Sequence, residues 1–140
     1  MKVLYSTEAV ATGGRTGSAE IADGSFKVAL DTPKELGGAG GAGTNPEQLF
    51  ASGYSACFLG ALKFVAGKEK VKLPEDTTVR AKVGIGSRDD GQGFGLDVAL
   101  TVSIPGLDKA AAEELAAKAH VVCPYSHLAK NGLDVKLSVA

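Results

Sequence analysis

The sequence predicts an α+β domain, short antiparallel strands combined with two helices in the order βββ-α-ββ-α-β. Three observations carry this reading. Short β-prone runs at the N-terminal end are punctuated by glycine-rich turns. The stretch from Gln48 to Leu62 has no charged residue, and its apolar and small residues recur at three- and four-residue steps. From Phe94 to Ile104, Leu96, Val98, Leu100, Val102 and Ile104 occupy alternate positions, the period of a strand with one face inward.

Taken in order, Val3 to Val10, Ser18 to Ile21 and Phe26 to Leu30 read as the first three strands. The turns between them hold Gly13-Gly14-Arg15-Thr16-Gly17 and Asp23-Gly24, the latter a strong hairpin dipeptide. A loop from Thr32 to Thr44 comes next, with five glycines between Gly37 and Gly43. Asn45-Pro46-Glu47 then carries a capping residue, a proline suited to the first helical position and an acid that complements the helix dipole. The first helix is expected from Pro46 to Ala66, stopping at Gly67. Its buried face is expected to hold Leu49, Phe50, Gly53, Cys57, Gly60, Ala61 and Phe64. Thr77 to Gly86 and Phe94 to Ile104 form two long strands. Asp108 caps a second helix from Ala110 to Val122, which Pro124 interrupts so that Cys123 lies at a break. Asp134 to Val139 is the last strand. No linker or internal repeat divides residues 1–140, and a single domain is expected.

Fifteen basic and sixteen acidic residues leave a net charge of −1, with no basic block to neutralise phosphates, so a nucleic-acid partner is not expected. The uncharged run from Gln48 to Leu62 falls short of the ~20 residues of a membrane span and contains Gln48, Ser52 and Ser55. The N-terminus lacks the pattern of a signal peptide. A cytoplasmic protein with no membrane partner is expected.

Four chemistries compete for the remaining residues. Gly38-Ala39-Gly40-Gly41-Ala42-Gly43 fits a dinucleotide-binding glycine pattern, but the required strand before it and acid after it are missing. Gly53-Tyr54-Ser55-Ala56-Cys57 is one glycine short of a hydrolase nucleophile elbow and lies within a helix. His120, Cys123 and His127 have the three- and four-residue spacing of metal ligands, an alignment that Pro124 disturbs. Redox chemistry needs a cysteine that is largely thiolate, hence a nearby cation or helix N-terminus. Cys57 lies mid-helix and needs an arginine. Arg15, in its glycine-flanked turn, is the candidate. Against all of these, the two cysteines read equally as small buried hydrophobes of a non-enzymatic binding or structural protein.

The run Thr44-Asn45-Pro46-Glu47-Gln48-Leu49-Phe50-Ala51-Ser52-Gly53-Tyr54-Ser55-Ala56-Cys57-Phe58 resembles the signature of the organic hydroperoxide resistance proteins, within the osmotically-inducible-protein superfamily. Gly13-Gly14-Arg15, Asp23-Gly24, Pro33-Lys34-Glu35-Leu36-Gly37-Gly38 and Val122-Cys123-Pro124-Tyr125-Ser126 resemble its other landmarks, in the same order and across nearly the whole chain. The resemblance implies a peroxidase in which Cys57 is the peroxidatic cysteine and Cys123 the resolving one. It makes Arg15 the activating arginine and Glu47 its carboxylate partner. It further implies an intertwined homodimer with antiparallel sheets wrapped around long central helices, and an organic hydroperoxide as substrate. A dihydrolipoyl group on a lipoylated protein is the implied reductant, with no metal or flavin cofactor. Glu47 and Cys57 are ten residues apart, about 15 Å along a straight helix. Arg15 is therefore expected to bridge them, or Arg15 and Glu47 to reach Cys57 from a partner chain.

Overall fold

The computed structural model describes residues 1–139. The fold is α+β, and the chain divides into two compact units, Met1–Phe50 and the remainder from Ala51.

In the first unit, β1 (Ala9–Thr12), β2 (Ser18–Ile21) and β3 (Lys27–Ala29) form an antiparallel sheet in chain order. The register pairs Ala9 with Ile21 and Thr12 with Ser18, and then Ser18 with Ala29. The β2–β3 turn is built as the Asp-Gly dipeptide requires: Gly24 takes a φ of 76°, and the Asp23 carboxylate accepts the Ser25 N–H at 2.8 Å. The first strand is shorter than the expected Val3 to Val10. Pairing ends where the Ala22 N–H donates to the Glu8 carbonyl, because β2 turns away there and, among the described residues, no strand pairs with residues 3–7. Leu30 and Thr44 close the base of the glycine-rich loop in a parallel bridge, and the Asp31 carboxylate accepts the Gly43 N–H at 2.6 Å.

The long helix α1 (Pro46–Lys68) starts as predicted, with the Gln48 N–H bonded to the Asn45 side chain at 2.8 Å. It does not stop at Gly67. Lys70 takes the left-handed conformation instead, and the Val71 N–H closes on the Ala66 carbonyl. The buried stripe also differs from the expected one. Tyr54, Phe58, Ala61, Leu62, Val65 and Ala66 are buried, whereas Gly60 and Phe64 are exposed and Cys57 lies at the edge. The buried positions recur at three- and four-residue steps, 54, 58, 61, 62, 65 and 66, so the inward face is rotated by about one residue from the expected one.

β4 (Thr78–Ser87) and β5 (Phe94–Ser103) form a ten-pair antiparallel hairpin running from Thr78–Ser103 to Ser87–Phe94. Helix α2 (Lys109–Val122) begins at the predicted cap, Asp108, whose carboxylate accepts the Ala111 N–H. The core of this unit gathers Phe58, Leu62, Ile104, Leu115, Ala119 and Cys123.

After the break at Cys123 comes a third helix, α3 (Pro124–Asn131), which the sequence pattern does not predict. Pro124 ends α2 but suits the first position of the next helix, since it lacks only an N–H that has no intrahelical partner there. The strand expected over Asp134 to Val139 is absent. Leu133, Val135, Leu137 and Val139 are exposed, with no strand opposite them among the described residues. The observed order is therefore βββ-α-ββ-α-α.

Candidate active site

Arg15 sits in a single 3-10 turn, Gly14–Thr16, bracketed by glycines. Gly13 has a φ of 75°, and a Cβ on Gly17 would stand 1.8 Å from the Thr12 carbonyl oxygen, so the turn closes only on a glycine. The guanidinium then meets Glu47, in the first turn of α1, as a fork. Its Nη1 donates to Oε2 at 2.9 Å and its Nη2 to Oε1 at 2.5 Å. This bidentate geometry is one that lysine cannot reproduce. The hydrogen bonds from Arg15 hold the Glu47 carboxyl below the usual glutamate range, against the opposing effect of burial, and the same bonds raise the guanidinium.

This depressed carboxyl fixes the sign of a pH dependence. A carboxyl with a depressed folded-state pKa adds stability that is fully present above the unfolded value, about 4.3, and is lost as pH falls through the lower folded value. The urea midpoint of the wild type should exceed that of Glu47→Gln by a constant amount above about pH 5, and the gap should close on acidification below about pH 4. A gap that persists at low pH would show that the carboxylate charge contributes nothing to the pair.

The two cysteines, 66 positions apart in sequence, come together in the second unit with their sulfurs 3.6 Å apart. Both are free thiols: Cys57 is partly exposed, and Cys123 is fully buried. Cys123 is the hinge between α2 and α3. Its N–H donates to the Ala119 carbonyl, and its own carbonyl accepts the His127 N–H. Burial pushes the Cys57 thiol up; a backbone hydrogen bond from Tyr125 pulls it down, and the neighbouring Cys123 adds to the rise, leaving it above the ordinary thiol range. Cys57 thus does meet a helix N-terminus, that of α3 and not of its own helix. Sequence reasoning misses this contact because it misses α3 itself. The net effect is a rise, so the surroundings of Cys57 within this unit favour the thiol over the thiolate. Arg15 and Glu47 are paired as expected within the first unit, and Cys57 and Cys123 within the second.

The histidines do not join the cysteines. His120 and His127 are exposed on two separate helices, and the His127 ring lies beside Asn131 of its own helix at 3.1 Å. Among the described residues no group of three histidine, cysteine or acidic side chains is placed to hold a metal ion. In the glycine-rich loop the Gly43 N–H is already given to Asp31, and a Cβ on Gly41 would stand 2.5 Å from the same carboxylate. A negative charge occupies the place where a phosphate cradle needs free N–H groups.

Two further residues escape sequence reasoning. The Tyr54 hydroxyl, three positions before Cys57, lies 2.9 Å from the hydroxyl of Ser126, three positions after Cys123. Both side chains are buried. The recurrence of a hydroxyl three residues from each cysteine is the only trace of this contact in the sequence.

A family model described as OsmC-like protein matches residues 38–138. The organic hydroperoxide resistance protein of Xanthomonas axonopodis pv. citri (strain 306) is 52% identical over 139 residues, covering 99% of this chain and 96% of its own. The organic hydroperoxide resistance protein OhrB of Bacillus subtilis (strain 168) is 38% identical, over 97% of this chain and 98% of its own. The crystal structure of an organic hydroperoxide resistance protein from Legionella pneumophila superposes with a TM-score of 0.86 at 50% identity, covering 99% of both chains. The chain belongs to the OsmC-like family and, within it, to the group of the organic hydroperoxide resistance proteins.

Proposed function

We propose that this protein is a thiol peroxidase that reduces organic hydroperoxides to alcohols. The observation that carries the proposal is the cysteine pair: a partly exposed thiol 3.6 Å from a fully buried one, in a chain whose relatives are named for organic hydroperoxide resistance. The Cys57 thiolate attacks one peroxide oxygen in line with the O–O bond. The S–O bond forms as O–O breaks; the alkoxide takes a proton and leaves as the alcohol, and Cys57 becomes a sulfenic acid. Cys123 then attacks that sulfur, forming the disulfide and releasing water. A dithiol returns both thiols by exchange, and a dihydrolipoyl group on a lipoylated protein is the reductant we assign to this step. No metal or flavin takes part, and the cytoplasm, where such dithiols keep thiols reduced, is the compartment that suits the cycle.

Arg15 is the cation that Cys57 lacks. It acts on the thiolate and on the charge moving to the leaving oxygen, with Glu47 holding its fork. It serves Cys57 of its own chain or of a second copy. A homodimer is part of the proposal. Leu4 and Tyr5 near one terminus, Leu137 and Val139 near the other, and Phe64 on α1 are all more than half exposed in the single chain, more apolar surface than a lone soluble chain presents without a use. The apolar stripe beside Cys57 favours an organic hydroperoxide over hydrogen peroxide, because a carbon tail adds buried area.

A thiol titration tests the reaction. One equivalent of cumene hydroperoxide should remove both thiols rapidly without added metal, lower the mass by the two hydrogens lost in a disulfide, and be reversed by a dithiol. Thiols that survive the titration would leave a non-enzymatic protein with two unreactive cysteines. Sedimentation equilibrium should give twice the chain mass.

A further inference from the structure

We propose that the Tyr54–Ser126 hydrogen bond is a clamp that holds Cys123 within reach of Cys57, making the two hydroxyl residues positioning residues for disulfide closure. The proposal rests on the reading of Cys57 and Cys123 as a redox pair, and the step concerned is Cys57–SOH + Cys123–SH → Cys57–S–S–Cys123 + H₂O.

The geometry is specific. Tyr54 and Cys57 stand one turn apart on α1 and so share a face. Ser126 is the third residue of α3, whose capping residue is Cys123. The 2.9 Å bond therefore ties together the same two backbone segments that carry the sulfurs. Between the sulfurs and the clamp lies Tyr125. Its N–H meets Cys57, and its ring packs on Tyr54 with centroids 5.6 Å apart. Gly53 leaves room for that ring, since a Cβ there would come within 3.1 Å of the Tyr125 hydroxyl.

The path of the chain explains the need for such a clamp. Cys123 has extended dihedrals, φ −65° and ψ 121°, so α2 does not continue through it and cannot orient α3. The eight-residue α3 is too short to be stable by itself and takes its direction from tertiary contacts. An apolar pair at positions 54 and 126 would bury as well but would not fix a direction. A hydrogen bond between hydroxyls of residues that are 3% and 1% exposed does, because its strength depends on alignment.

The test compares Tyr54→Phe, Ser126→Ala, the double variant and Ser126→Thr with the wild type. Each is equilibrated in dithiothreitol redox buffers, which report the disulfide without any peroxide. Loss of the clamp should make the disulfide about tenfold less favoured, a potential about 30 mV less negative. The double variant leaves no unpaired hydroxyl, so its melting temperature should return towards wild type while its potential stays shifted. Ser126→Thr keeps the hydroxyl and should keep the wild-type potential. With cumene hydroperoxide, dimedone should trap more Cys57 sulfenic acid in the clamp variants than in the wild type. A wild-type potential in Tyr54→Phe and in the double variant would overturn the proposal, as would a potential that recovers together with stability. A wild type that forms the disulfide in buffer but ignores cumene hydroperoxide would sink the peroxidase reading and leave the clamp standing.

Discussion

Cys57→Ser should consume organic hydroperoxide on the order of a thousandfold more slowly than the wild type or worse, whereas Cys123→Ser should still consume the first equivalent. The asymmetry comes from where the two sulfurs sit. Cys57 is partly exposed and meets the Tyr125 N–H in the first turn of α3; Cys123 is fully enclosed, with its sulfur against that of Cys57. Without Cys57 the remaining thiol has no path to the peroxide and should survive an equivalent of it. Without Cys123 the sulfenic acid has no resolving partner. It should form a dimedone adduct and, under excess peroxide, advance to the sulfinic acid, which most proteins cannot reverse. Closure in the wild type needs little motion. The sulfurs stand at 3.6 Å, and a disulfide bond is about 2.05 Å, so they approach by roughly 1.5 Å. Mass spectrometry of the three proteins after one and ten equivalents checks every part of this. Equal reactivity of the two single variants would overturn the assignment of roles.

Arg15→Lys should lower the rate of the first oxidation by about a hundredfold while moving the melting temperature little. The charge is retained, so any loss reports geometry: one ammonium cannot engage both Glu47 oxygens as the guanidinium fork does. The small thermal effect is expected because the Arg15 side chain is 37% exposed, and solvent screens its pair with Glu47. The pH profile supplies a second readout. Burial and Cys123 push the Cys57 thiol above its ordinary range in the chain's own surroundings. With a misplaced cation, less thiolate exists at neutral pH, and the half-maximal rate should move to higher pH. Arg15→Ala should move it further in the same direction. A variant Arg15→Lys with wild-type turnover would remove the arginine from the mechanism.

The parts of the fold that local chemistry dictates are legible in the sequence. Asp23-Gly24, Asn45-Pro46 and Asp108 mark a turn and two helix starts through side-chain and φ preferences that need no tertiary information, and all three function as expected. The alternation on β5 is legible for the same reason, although Leu96, near the turn end of the hairpin, is exposed. The misses share a different cause. Gly67 has the residue type of a stop, but the helix ends at Lys68 with Lys70 in the left-handed conformation, a closure that composition does not encode. α3 is hidden because the proline that ends one helix also begins the next. The strands expected over residues 3–8 and 134–139 have the residues of strands but no paired neighbour among the described residues, and a strand exists only by pairing. Residue types and the resemblance point to each member of the two pairs, Arg15 with Glu47 and Cys57 with Cys123. The Tyr125 N–H and the Tyr54–Ser126 bond are beyond reach, because each joins segments about 70 positions apart and one of them involves a backbone group common to every residue.

The glycines around Arg15 set a limit for anyone wishing to make this protein more robust. Replacing loop glycines with alanine is a standard route to thermostability, since it narrows the ensemble of the unfolded chain. It is closed here. Gly13 holds a φ of 75°, where an alanine is strained, and at Gly17 a methyl group would stand 1.8 Å from the Thr12 carbonyl oxygen. The segment that presents the guanidinium must therefore keep the full conformational entropy of its glycines in the unfolded state. Stabilising substitutions have to be sought away from it, on exposed positions such as those of α2, where helix propensity can be raised without touching either the arginine or the sulfurs.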